Sequence, residues 1–272
     1  MAVSRTLSFG VSRHQDIPVA GWPEILCRAL SAGLGSAVEP LLAQDYADLL
    51  KNVIEGKADL AWLPPLLHAR AAEQGARLVA VPERSGWLTF RSALLVRKDD
   101  PVQSVQKLSG VRAAWRDKSS ASGYLFPRLD IVAVGAPAEK AFSSETFYGS
   151  VKTAAEAVVR GEADLCTCYV SDAAAYDPQR ANEEIARALG PLANSLRVLH
   201  VTESIPPDGF VIAPRVGDAE QRAVGEALLK MHTTEEGRTA LRDVLNADRL
   251  APVTEKLTRS LNSWAEAARR RV

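Results

Sequence analysis

DLLKNVIEGKADLAW, residues 48–62, and AAEAVVRGEADLCT, residues 154–167, repeat one plan. Each is an amphipathic helical pattern that runs into a glycine, Gly56 or Gly161, followed by Ala-Asp-Leu and a short apolar strand. A glycine just past the last helical turn is what a C-cap requires, and the switch from a 3.6-residue to an extended period marks a helix-to-strand junction. The copies lie roughly one hundred residues apart, too far for a solenoid, so the spacing predicts two α/β lobes built alike.

Outward from these junctions, strands and helices alternate. Residues 7–11 read as a strand, 21–32 as a helix entered through Pro23, 38–42 as a strand, and 46–55 as a helix behind Asp45 as N-cap. Strand 60–63 stops at Pro64-Pro65; helix 66–74 and strands 77–82 and 89–97 follow, until Lys98-Asp99-Asp100-Pro101 breaks the pattern. A fresh unit starts at 105–108. It continues with strand 110–115, a serine-rich turn opening a helix, strand 131–134, helix 154–160 and strand 164–169. Strands 197–202 and 210–213 flank the turn-rich joint Ser204-Ile205-Pro206-Pro207-Asp208-Gly209, and residues 219–232, 234–245 and 253–269 read as helical throughout. This order predicts α/β architecture with mostly parallel sheets and a helical C-terminal segment.

Composition sets the outer limits. The chain has 272 residues, 47% hydrophobic and 24% charged, with Lys+Arg equal to Asp+Glu at 33 each. A neutral balance argues against nucleic acid or an anionic membrane as the main partner. The cluster Arg269-Arg270-Arg271 reads as a solvated helix end. Three cysteines (27, 166, 168) and four scattered histidines (14, 68, 200, 232) lack metal-ligand spacing, so no metal, no cofactor and no structural disulfide are expected. No run of eighteen apolar residues occurs, so no membrane insertion is expected. Residues 1–9 lack the apolar core of a secretory signal, which places the chain as written in the cytoplasm, or in the periplasm if a leader has been removed. A monomer is expected.

Between strand 110–115 and the apolar stretch 124–129 stands Asp117-Lys118-Ser119-Ser120-Ala121-Ser122-Gly123. A serine-rich turn that opens a helix offers backbone N–H groups, hydroxyls and the positive end of the helix dipole, together a site for an oxyanion. The plainer reading is an ordinary serine N-cap with no ligand.

The order D-Y-x-D-L from residue 45, GKADLAWLPP at 56–65, VRKDDPV at 96–102, L-x-G at 108–110, DKSSASGYLFP at 117–127, YGS at 148–150, GEADL at 161–165 and SIPPDG at 204–209 resembles the phosphate/phosphite/phosphonate substrate-binding proteins of ABC transporters. The resemblance covers about residues 5–235. It implies a two-lobed type 2 periplasmic-binding-protein fold with two hinge crossings. Lobe 1 would take residues 1–97 plus 205–272, lobe 2 residues 98–204, with the ligand cleft between them. It further implies a non-catalytic solute-binding protein that captures a small oxyanion for an ABC-transporter permease or a sensor.

By matching motif, Ser119, Ser120, Ser122 and Gly123 would hold the anionic head, Tyr46 would donate its phenol, and Asp208 would accept a proton from a protonated oxyanion or pair with a ligand amine. Phe90 stands where the family pattern has tyrosine, and Val151, after the YGS element, where phosphonate binders carry histidine. Ser171-Asp172 stands near the place of an amine-binding acid in aminoalkylphosphonate binders. The alternative is a cytosolic enzyme or ligand sensor on the same fold, of the menaquinone- or thiamine-precursor type, with a different small molecule. Its only candidates for nucleophile or base are Cys166, Cys168 and His14.

Overall fold

The computed structural model describes residues 5–13, 17, 19–118, 120–134, 138–255, 257–259 and 261; Ser119, His14 and the arginines at 269–271 lie outside them. The described residues divide into two compact units: one takes those up to Leu88 and those from Pro206 to 261, the other runs Thr89–Ile205.

The first unit is a mixed six-stranded sheet with helices packed on it. Its strands are β1 (Leu7–Ser12), β2 (Val38–Ala43), β3 (Leu60–Leu63), β4 (Arg77–Glu83), β10 (Gly209–Ile212) and β11 (Arg249–Pro252), in the order β11-β4-β10-β3-β1-β2. β1 pairs parallel with β2 and β3, whereas β10 runs antiparallel between β3 and β4. The helices are α1 (Trp22–Leu34), α2 (Tyr46–Ile54), α3 (Pro65–Glu73), α8 (Asp218–Lys230) and α9 (Glu235–Thr239). α1 buries Trp22, Leu26, Leu30 and Leu34, one stripe at intervals of four, and ends where Gly35 turns left-handed at φ 65°. α2 starts where the Asp45 carboxylate accepts from Asp48 N at 2.8 Å. Phe210 centres the core, with Phe9 at 5.9 Å and Trp62 at 4.8 Å between ring centroids.

The second unit holds β5 (Phe90–Arg97), β6 (Val111–Trp115), β7 (Phe142–Phe147), β8 (Cys166–Ser171) and β9 (Leu196–Val201), with α4 (Phe126–Val134), α5 (Ala138–Ala141), α6 (Val151–Val159) and α7 (Pro178–Leu189). β8-β5-β9 is antiparallel and β6-β7 parallel, and a parallel bridge joins Ala113 to Leu165. Because β5 bonds along its length to β8 and β9, residues 90–97 count with this unit rather than the first.

The repeat seen in the sequence is structural. Gly56 and Gly161 both turn left-handed, φ 68° and 76°, after α2 and α6. In each copy the aspartate that follows reaches back to a neighbouring strand. The Asp59 carboxylate accepts from Ser8 N and Arg5 Nη1, each at 2.9 Å, and Asp164 accepts from Arg112 N at 2.8 Å and Arg112 Nη2 at 2.6 Å. Phe9 then pairs with Leu60 and Ala113 with Leu165, so the carboxylate sets the same parallel register twice. At Asp59 burial disfavours the charge, yet the Arg5 and Ser8 hydrogen bonds outweigh it and hold the acid below its usual range.

Two sequence expectations fail, the strand at 131–134 and the mostly parallel sheets, and three elements are unforeseen, β7, α7 and β11. Residues 131–134 are not a strand but the end of α4, whose Phe126, Leu129, Asp130 and Ile131 are buried; a run of Ile, Val, Ala and Val imitates a strand when the helix before it is short. β7 was not expected, because Ser143 and Ser144 face solvent and Glu145 is occupied by Arg128 and by Trp115 Nε1. α7, likewise unforeseen, has clear signals: Asp177 as N-cap, Pro178 at its first position and Ala181, Ile185 and Leu189 buried in one stripe. The C-terminal stretch is interrupted by β11, an edge strand paired antiparallel with β4 and ended by Pro252. The sheets are accordingly mixed, not mostly parallel. Among the described residues no helix is long and apolar enough to cross a membrane.

One buried histidine ties α3 to the chain before β10. His68 is 2% exposed and its Nε2–H donates to Pro207 O at 3.1 Å, while burial drives its pKa down to about 4, only partly offset by that bond.

Two predictions follow from these contacts. Asp59 is 4% exposed and Asp164 32%, so Asp59→Ala is expected to cost roughly 2–3 kcal/mol and Asp164→Ala about 1 kcal/mol in denaturant melts; equal costs would refute burial as the deciding factor. The unfolded chain binds a proton at His68 near pH 6.5 and the folded chain only near pH 4, so stability falls as pH drops through that window, by up to about 3 kcal/mol. His68→Gln should be less stable at pH 7 but lose less between pH 7 and 4.5 than the wild type. Parallel losses would rule out the buried neutral histidine.

Candidate functional site

The serine turn leaves the carboxyl end of β6 and closes on itself. Arg116 N donates to Gly123 O at 3.1 Å and Ser120 N to Asp117 O at 3.2 Å, while Leu125 N reaches Ser120 O at 3.0 Å in a single wide turn over Ala121–Leu125 that leads into α4. Ser120 Oγ accepts from Gly123 N at 3.0 Å, so the serine is indeed a cap. Gly123 is required by space: a Cβ there would lie 2.6 Å from both Arg116 Cβ and Ser120 Oγ. Ser120 is buried at 8% exposure and Ser122 is half-buried. Lys118 is exposed, its Nζ 5.6 Å from the centre of the Phe147 ring.

β7 brings the YGS element alongside. Tyr148 N donates to Trp115 O at 2.9 Å and Gly149 N to Arg116 O at 2.8 Å. Ser150 then caps α6 in a reciprocal capping box with Thr153, and Val151 packs its half-buried side chain on the core. The turn, the YGS element and two helix starts therefore share the carboxyl end of the parallel pair β6-β7.

β5 supports the turn from beneath. The Ser92 hydroxyl, fully buried, donates to Ser122 O at 2.8 Å. Two residues earlier, Phe90 is 6% exposed, pairs with Ile205 through both backbone bonds, and sets its ring 5.3 Å from Tyr169. It gives an apolar surface and no donor. Asp172 does not stand open to a ligand amine: its fully buried carboxylate takes Arg91 Nε at 2.6 Å, Ser204 Oγ at 2.9 Å and Thr89 Oγ1, and Arg91 Nη1 continues to Thr202 O at 2.7 Å. Sequence reasoning singled out neither Ser92 nor Arg91; the only signal for either is a polar residue alternating with apolar ones along a buried strand.

In the first unit Tyr46 opens α2 and packs its half-buried ring on the core. Asp208 is half-buried between Pro207, whose carbonyl His68 holds, and Gly209, which pairs with Leu63 at the end of β3. Both therefore lie at the carboxyl ends of β2 and β3, where open α/β sheets place ligand-binding loops. Ser120, Ser122 and Gly123 come together in one turn, with Phe90 on the strand beneath; Tyr46 and Asp208 belong to the other unit.

Nucleophilic chemistry has little footing here. Cys166 and Cys168 are buried, and burial pushes the thiol of Cys168 up to about 12 and that of Cys166 higher, so neither supplies a thiolate. Cys27 is likewise raised to about 12 by burial. Among the described residues no group of three or more His, Cys, Asp or Glu could hold a metal ion.

Comparison with known proteins gives the family and the fold. Residues 21–257 match the family described as ABC transporter, phosphonate, periplasmic substrate-binding protein. The phosphate-import protein PhnD of Mycolicibacterium smegmatis is 29% identical over 150 residues, 51% of this chain and 47% of that protein. The chain thus spans about half the length of the curated relatives it matches. Among solved structures, XAC2383 from Xanthomonas citri bound to ATP superposes with TM-score 0.79 at 20% identity, covering 98% of each chain. PhnD1 from Prochlorococcus marinus in complex with methylphosphonate superposes with TM-score 0.75 at 17% identity, covering 98% of this chain and 99% of that one. The architecture is thus the α/β fold of the type 2 periplasmic binding proteins, and the chain belongs to the family of periplasmic substrate-binding proteins of ABC phosphonate transporters.

Proposed function

We propose that this protein is a non-catalytic solute-binding component that captures a small phosphorus oxyanion, a phosphonate, phosphite or phosphate, in the periplasm and delivers it to an ABC-transporter permease. The observation that carries the reading is the turn at Ser120–Gly123: hydroxyls, a helix start and the YGS element converge at the carboxyl end of β6-β7. Ser119, Ser120, Ser122 and Gly123 hold the anionic head, Tyr46 and Asp208 are the further candidate ligand contacts, and Asp208 favours a ligand that brings a proton. Phe90 and Val151 replace polar contacts of the family pattern with apolar surface. The ligand is therefore held by fewer hydrogen bonds, each worth about 1.5–3 kcal/mol when charge-assisted. Family membership and the ligands of the relatives support the reading, and the buried, protonated thiols disfavour an enzyme.

A thermal-shift panel of phosphate, phosphite, methylphosphonate, 2-aminoethylphosphonate, sulfate and acetate tests it. A ligand at 100 times its dissociation constant adds about 2.7 kcal/mol of apparent stability, and the response should be confined to the phosphorus compounds. Ser122→Ala should weaken the responding ligand by about tenfold or more. Ser120→Ala should do so too while lowering ligand-free stability by about 1 kcal/mol, because the same hydroxyl caps Gly123 N. Silence from every phosphorus compound would overturn the proposal.

A further inference from the structure

Three hydroxyl and amide groups in the second unit point the same way. Ser92 Oγ–H donates to Ser122 O at 2.8 Å; the same peptide plane then donates from Gly123 N to Ser120 Oγ at 3.0 Å. The Ser120 oxygen accepts that bond and keeps its own proton to donate onward. Each bond polarises the next in a head-to-tail chain, and a low-dielectric setting strengthens that effect. The start of the chain is rigid. Ser92 is fully buried, its N donates to Thr202 Oγ1 at 3.0 Å and its O accepts from Thr202 N at 2.9 Å.

We infer that Ser92 is a positioning residue for ligand capture: from β5 it fixes the Ser122–Gly123 peptide plane, which in turn holds the Ser120 hydroxyl in place to donate to the ligand. The inference rests on the oxyanion reading of the turn. Without the Ser92 donor, the Ser122 carbonyl loses that bond and the plane is held less firmly, with Gly123 N still on Ser120 Oγ and Gly123 O on Arg116 N. A serine here also differs from an ordinary core contact: its neighbours on the same strand face, Leu94 and Val96, are apolar and buried.

The test uses full-length protein with methylphosphonate and inorganic phosphate as probes, followed by calorimetry, and reads the Gly123 amide by NMR without ligand. Ser92→Ala should bind whichever probe the wild type binds about tenfold more weakly. The Gly123 amide proton should shift upfield and exchange faster in that variant. Ser92→Thr, which keeps the hydroxyl, should restore both. Val158→Ala, a truncation in the buried core of α6, controls for general loss of stability and should leave affinity and the Gly123 amide unchanged. Affinity in Ser92→Ala equal to that in Val158→Ala, or a Gly123 amide that does not move, would overturn the role of Ser92 alone. A wild type that binds neither probe would overturn the oxyanion reading and this inference with it, even if the amide had shifted.

Discussion

A carboxylate that accepts the N–H of the second residue of a neighbouring strand organises both units. Asp59 does this for Ser8 and Asp164 for Arg112, each just after a left-handed glycine has closed a helix. Glycine ends the helix, the aspartate fixes the register, and the following leucine starts the pairing. The serine turn leaves the carboxyl end of β6, the strand that Asp164 aligns, and the YGS element leaves its partner β7; in the other unit Tyr46 follows β2 and Asp208 precedes β10, the sheet neighbours of the pair that Asp59 aligns.

Much of this was legible in the sequence because the signals are local. Gly-x-Ala-Asp-Leu states its own geometry, and Asp45 and Ser120 are caps recognisable from their neighbours. The strand at 131–134 was misread because β-branched residues at the end of a short helix imitate an extended run, and tertiary burial of Ile131 on the helix face decides the matter. β7 and β11 were missed for the opposite reason. Their residues are polar or proline-ended, and only the partner strands, β6 and β4, make them strands at all.

The site divides along the same line. The serine turn is legible in the sequence as a helix cap, and Ser120 is one. Ser92 does not, because one serine on an apolar strand carries no mark of its target thirty residues away. Asp172 misleads in sequence: an acid near the expected place of an amine-binding group is in the fold the buried partner of Arg91, Thr89 and Ser204. Removing a carboxylate from solvent requires such partners, so its availability to a ligand is decided by chain segments far from it.

The same pairing governs how the turn can hold an anion. Three arginines of the second unit have carboxylates beside them: Arg116 with Asp117 at 3.4 Å, Arg91 with Asp172 at 2.6 Å, and Arg128 with Glu145 at 2.9 Å. An unpaired guanidinium 4 Å from a phosphonate would attract it by about 4 kcal/mol at an effective dielectric of 20, and would attract sulfate or a carboxylate about as well. Oriented hydroxyls and amides give less attraction but demand a match in number and direction. Discrimination by dipoles rests on direction where attraction by charge does not, and the chain from Ser92 to Ser120 is built of dipoles alone.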